Sequence, residues 1–218
     1  CWVSLGFVYL DKAIDSTDLN GTIDDDGLHS GFDALGKAIS LGGPINNACG
    51  NSMALYQYES AYRAVLGQNP RQNAALYGKR AKECESRLPK NDIYYFGLTA
   101  VLSHSVSYLL QKGDSAGLMD VLHEQGALLK QAETSLSEAT QPGLMPLVRC
   151  QMAVDKVRIL AFLRKDLASD LQHARRLLAA CPAVLPQQPY PQAMCRAQSA
   201  ILSLSAAEFA TTQGQPAL

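Results

Sequence analysis

Apolar residues recur at spacings of three and four along most of the chain, the pattern of helices buried on one face. Trp2–Ile14 aligns Val3, Phe7, Leu10 and Ile14, and His29–Leu41 aligns Phe32, Leu35 and Ile39 until Gly42, Gly43 and Pro44 stop it. Asp15–Gly27 between them is polar and turn-rich, so residues 1–44 read as the least regular part of the chain.

From residue 45 to 212 the pattern becomes a succession of helical hairpins. Asn51–Leu66 carries Leu55, Tyr58, Tyr62 and Val65 on one face. Asn69 and Pro70 restart the chain as N-cap and first helical residue, and the next helix runs to Leu88 before Pro89. Asn91 and Asp92 cap a long helix, Ile93–Gln111, and Gly113-Asp114 turns the chain into Ala116–Thr140. Pro146–Lys165 follows the break at Pro142-Gly143, and Asp166 caps Leu167–Ala180. Four prolines between Pro182 and Pro191 predict an extended connection to a last helix, Gln192–Thr211, with residues 213–218 as a tail. The expectation is a single all-α domain over residues 1–218, built from about eight or nine antiparallel helices. Two architectures fit, a tetratricopeptide-like solenoid and an irregular helical bundle. The hairpins begin near residues 51, 92 and 146, which departs from the strict repeat of about 34 residues in tetratricopeptide arrays.

Bulk properties exclude more than they specify. With 218 residues, a net charge of −1 and 47% hydrophobic residues, the chain can bury a core but lacks the basic balance of a nucleic-acid binder. No apolar run reaches the roughly 18 residues of a membrane span.

Six cysteines stand at positions 1, 49, 84, 150, 181 and 195, with no CxxC pair, which disfavours zinc ribbons and thioredoxin-like motifs. The helix map puts Cys49 and Cys84 at the open end of one hairpin and sets Cys181 and Cys195 on either side of the proline-rich connection. The preferred disulfides are therefore Cys49–Cys84 and Cys181–Cys195, leaving Cys150 as a buried thiol. Cys150–Cys181 competes, and six reduced cysteines are the alternative. The chain opens on Cys1 without an initiator methionine. Either it is cut from a longer chain, or it is processed there, as in bacterial lipoprotein maturation, where the new N-terminal cysteine is lipidated.

Candidate chemistry is sparse. Asp18, Asn20, Asp24 and Asp26 flank Gly21 as in a calcium loop, but Gly27 stands where the bidentate glutamate belongs, so a solvated acidic loop is expected. Gly31–Lys37 (GFDALGK) has phosphate-loop spacing, but Ala38 replaces the hydroxyl and no strand precedes it. His123-Glu124 begins a zincin motif that Ala127 fails to complete. No nucleophile has a recognisable base. Arg164, Lys165, Arg175 and Arg176 form a basic patch best read as solvation around helix ends. The reading is a non-enzymatic protein with no metal and no cofactor; a helical enzyme would need acids or histidines gathered in a cleft from distant segments. Tyrosines concentrate between Tyr56 and Tyr108, and Tyr58, Tyr62, Tyr94 and Phe96 are the candidate binding surface, since tyrosine combines apolar area with a polar tip.

The segment ALYGKRAKECESRL (Ala75–Leu88), which follows a tyrosine-rich helix and an Asn-Pro turn, resembles the T-component lipoproteins associated with TRAP transporters. Those are periplasmic, lipid-anchored, tetratricopeptide-like proteins. The resemblance covers this segment and the N-terminal cysteine. It implies a periplasmic helical scaffold, anchored through a lipid on Cys1, that binds a partner protein of an envelope complex or, alternatively, a small apolar ligand. No nucleic-acid partner is expected.

Overall fold

In the computed structural model, which describes residues 2–41, 45–84, 92–136, 144–184 and 189–212, the periodic segments become α-helices and no strand occurs among the described residues. Where the sequence reads as one domain, contacts gather into two compact units, Cys1–Lys90 and Asn91–Leu218.

The first unit holds α1 (Trp2–Asn20), α2 (Asp25–Ser40), α3 (Ile45–Val65) and α4 (Gln72–Glu83). Its N-terminal part is more regular than its polar composition suggests. Asp15–Asn20 extends α1, and α2 begins at Asp25 because Asp24 accepts a 2.9 Å hydrogen bond from the Gly27 amide while Asp25 and Asp26 complement the helix dipole. The expected loop thus shrinks to residues 21–24. α3 likewise starts at Ile45, ahead of the expected Asn51, because Ala48 and Cys49 are core residues that need helical register.

Glycine sets the approach of α1 to α2. A Cβ at Gly31 would fall 2.4 Å from Leu10 Cγ, one at Gly6 would fall 2.8 Å from Leu35 Cγ, and one at Gly27 would fall 2.9 Å from the Ala13 methyl. These pairs run antiparallel and let Leu10, Ala13, Leu28, Leu35 and Ala38 close into one core with Ala48 and Leu55 of α3. Phe32 stacks on Tyr56 with ring centroids 4.3 Å apart. At the far end of α3, the buried Arg63 guanidinium bonds Glu59 Oε1 at 2.7 Å, Gln68 Oε1 at 3.1 Å, and Asp25 of α2. Cys49 and Cys84 form a disulfide, Cα atoms 6.0 Å apart, that joins α3 to the end of α4 beside Ile39. α4 ends at Glu83 with Cys84 as its cap, and the rest of the helix expected to Leu88 lies outside the described residues.

The second unit holds α5 (Asp92–Lys112), α6 (Ser115–Leu136), α7 (Met145–Phe162), α8 (Ala168–Val184) and α9 (Pro189–Thr212). α7 is its axis. Leu147, Val148, Met152, Val154, Val157 and Ile159 are buried around its circumference, as an all-round apolar helix requires. It packs against α5, α6, α8 and α9, and α8 also meets α9, whereas α6 and α8 do not meet among the described residues. The proline-rich connection is shorter than expected. α8 continues through Pro182, and α9 starts at Pro189, so Pro189 and Pro191 occupy the first turn, where a missing amide costs least. Cys181 and Cys195 are joined across it, Cα atoms 6.3 Å apart, and Cys150 is a buried free thiol whose pKa burial pushes up to about 11. Both disulfides match the preferred pairings.

Candidate functional site

Two helices that share one neighbour leave a gap between them. Among the described residues α6 and α8 both lie on α7 without meeting each other, so α7 floors a trough of about 570 Å³. The residues that reach it are Leu122, Gln125, Gly126 and Leu129 from α6, Met152 and Ala153 from α7, and His173 and Leu177 from α8. Spacings of three and four put the α6 set on one helix face, as they do Arg149, Met152, Ala153 and Lys156 of α7. Two ion pairs mark the trough, about two helical turns apart along α7. Arg149 Nε meets Glu133 Oε1 at 3.2 Å, and Lys156 Nζ meets Asp170 Oδ1 at 2.8 Å. An apolar floor with polar margins and this volume is the usual form of a small-molecule pocket, roughly 300–1,000 Å³.

Beneath the trough lies a buried polar network. Asp155 of α7 is 1% exposed and accepts hydrogen bonds from Gln125 Nε2 (2.9 Å), Ser103 Oγ (3.1 Å) and Arg158 Nη1 (3.1 Å). Arg158 Nη2 also donates to Ser107 Oγ at 3.0 Å. One carboxylate thereby ties α5, α6 and α7 together. Burial pushes its pKa up, while Arg158 and the hydrogen bonds pull it back. Gln125 connects network and trough: its amide nitrogen is spent on Asp155, and its Oε1 is buried with no hydrogen-bond partner.

A second hollow of about 610 Å³ lies on the face formed by α5, α7 and α9, lined by Leu110, Phe162, Ile201, Leu204 and Phe209 with Arg158 and Glu208. Phe162 and Leu204 are 40% and 65% exposed there.

The residues singled out in the sequence fall elsewhere. Tyr58 and Tyr62 belong to the first unit, Tyr58 exposed and Tyr62 half-buried. Tyr94 and Phe96 belong to the second, and Phe96 is a core residue, because α5 is buried on nearly all sides, its own Tyr95, Thr99, Val101 and Leu102 included. Tyr94 is half-buried and packs edge-on against Tyr95 at 5.0 Å. Cys1 lies outside the described residues, as does the Asp18 side chain. In the acidic segment Asn20 bonds Ser16 at 3.2 Å, Asp24 caps α2 and Asp25 pairs with Arg63; Asp26 is exposed. Gly31–Lys37 is wholly within α2. Among the described residues no three acids, cysteines or histidines gather as a metal site. His104 is held largely neutral, its pKa lowered to about 4 by burial.

The trough was missed because its signal in the sequence is partial. Leu122, Gly126 and Leu129 are readable as one face of α6, but the separation of α6 from α8 is a tertiary fact. No protein-family model matches the chain, and no curated protein or solved structure matches it either.

Proposed function

We propose that this is a non-enzymatic helical binding protein that takes a compact apolar ligand in the trough between α6, α7 and α8. The observation that carries this reading is the trough itself, an apolar floor of Leu122, Leu129, Met152 and Leu177 with an ion pair toward each end. Its short span suits a small molecule better than a continuous helix, which would have to cross both pairs.

Gly126 provides the test. It is exposed, and a Cβ there would meet nothing within 4 Å. Gly126→Phe therefore fills the trough without disturbing α6. Titration with the compact apolar fluorophore N-phenyl-1-naphthylamine should show saturable binding to the parent protein, weakened at least about tenfold by Gly126→Phe. Unchanged binding would sink the reading.

A second reading, a scaffold for a partner protein in an envelope assembly, draws on the apolar α5–α7–α9 face with Phe162 and Leu204 exposed. The packing of α5, α7 and α9 in a row, with α6 and α8 set to one side, is also how tetratricopeptide-like hairpins stack. Photo-crosslinking from position 204 in intact envelopes should capture one discrete partner, and Leu204→Glu should abolish it. For either reading, the two disulfides support residence in an oxidising compartment such as the periplasm. Anchoring through a lipid on Cys1 is checked by the mass of the N-terminal peptide from native membranes.

A further inference from the structure

We infer that the open end of the α1–α2 hairpin seats in the interface of a lipid bilayer, independently of the trough and of any lipid on Cys1. The first turns of α1 display large apolar side chains to solvent: Val8 is 64% exposed, and Trp2, Leu5, Phe7 and Tyr9 each between 37% and 41%. The antiparallel register set by Gly6 against Leu35 and Gly31 against Leu10 brings the C-terminal turn of α2 beside them, including Leu41, 62% exposed. The same hairpin is polar at its other end, where Asp15 and Asp26 are exposed. No charged residue occurs between Cys1 and Leu10; Asp11 and Lys12 begin the polar zone.

Three features select lipid over protein as the occupant. The exposed residues surround the helix end rather than forming one face: Phe7 and Tyr9 are two positions apart, roughly 200° around the axis. A fluid medium can cover all sides of such a tip, whereas a folded partner covers one. The patch is also small. Its six side chains fall far short of the roughly 800 Å² and 20–30 residues per side of a stable protein interface. Finally, tryptophan and tyrosine are the residues that favour the headgroup level, and the acidic end is directed away from any anionic surface. No helix of the described residues is long and apolar enough to cross a membrane, so the contact is interfacial.

Trp2 is the single tryptophan of the chain and lies within the tip, so its emission reads the contact directly. The full chain, prepared without an acyl group, is mixed with phosphatidylcholine vesicles, with and without phosphatidylglycerol. Trp2 emission should shift to shorter wavelength and be quenched by brominated acyl chains. Leu5→Glu with Val8→Glu, both at exposed positions, should reduce vesicle partitioning by about tenfold or more while helical circular dichroism stays unchanged. Emission indifferent to vesicles would overturn the inference. A shift that depends on protein concentration without lipid would also overturn it, in favour of a second copy. So would binding seen only with the acylated chain, which leaves anchoring through Cys1 standing. Fluorophore binding in the trough, blocked by Gly126→Phe, is read separately from all of these.

Discussion

The α1–α2 pair of the first unit and the α5–α6–α7 group of the second come together by opposite means. In the first, α1 and α2 close because backbone is laid bare: Leu10 occupies the space that a Cβ on Gly31 would need, and Leu35 the space beside Gly6. In the second, α5, α6 and α7 converge on a charged group, Asp155, whose three donors come one from each helix. Close packing of small residues gains dispersion contacts and imposes shape, with no polar group to satisfy. A buried carboxylate imposes identity instead, because every partner removed leaves another group stranded in a low-dielectric interior. The second device should therefore be the more fragile to single substitutions, and the first the more sensitive to added volume.

Asp155→Ala is the largest expected break in that comparison. It strands the Arg158 guanidinium, the Gln125 amide and the Ser103 hydroxyl together, and removal of one partner from a buried pair costs about 3–5 kcal/mol. Urea unfolding followed by circular dichroism should show that loss, and amide exchange should accelerate in α5, α6 and α7. A loss well below 1 kcal/mol, the scale of an exposed ion pair, would mean that the network is solvated and that Asp155 does not hold the unit together.

His104 on α5 sharpens the same comparison through pH. Burial lowers its pKa to about 4. The unfolded chain takes up the proton near pH 6.5 and the folded chain resists it, so this contribution is complete above about pH 6.5 and is lost as pH falls toward 4. Asp155 has the opposite sign: its pKa is raised, so falling pH relieves the cost of burying its charge. The His104 share should amount to about 1–2 kcal/mol between pH 7 and pH 5. His104→Gln removes that slope and leaves the Asp155 contribution in place. Equal slopes in parent and variant would show that the imidazole is hydrated.

Much of this contrast was readable in advance, and unevenly so. The helices of the second unit were legible from their three-and-four spacing, and α5 also from its end at Gly113, whose φ of 70° favours that residue; α7 instead ends at Phe162 with neither glycine nor proline, and α8 runs on through Pro182. Cys49–Cys84 followed from counting residues to the hairpin turn, and Cys181–Cys195 from its place on either side of the prolines, whereas counting alone also allowed Cys150–Cys181. Gly31 was legible as a glycine but not as the seat of Leu10, because periodicity records which positions are apolar and not how near two backbones come. Its spacing to Gly36 and Lys37 invited comparison with a phosphate loop, when its role is to make room. Phe96 was misplaced for a related reason. On a helix buried on nearly all sides, as α5 is, the apolar pattern does not distinguish the core from a binding face. Asp155 carried no signal at all, since a lone acid in an apolar helix is indistinguishable from an exposed one until its donors are located. The trough shares that origin, for it is made by the space between two helices.

Gly31→Ala tests the packing half of the comparison. The added methyl would sit 2.4 Å from Leu10 Cγ, and Leu10 is 1% exposed, so it has no solvent to retreat into. Overpacking of this kind typically costs about 1–3 kcal/mol, against a helix-propensity gain of up to about 1 kcal/mol for replacing glycine by alanine. The clash should win, and unfolding followed through Trp2 emission should move to lower urea. Leu10→Ala removes the clashing atoms at the cost of a cavity, so in the double variant Gly31→Ala should no longer destabilise, and the cycle should return a coupling of the size of the clash. Gly126→Ala on α6 is the matched control: with nothing within 4 Å of its Cβ, the propensity gain stands alone and stability should rise. If both glycines responded alike, the hairpin would have room to part, and the closeness of α1 and α2 would be a consequence of their packing rather than its cause.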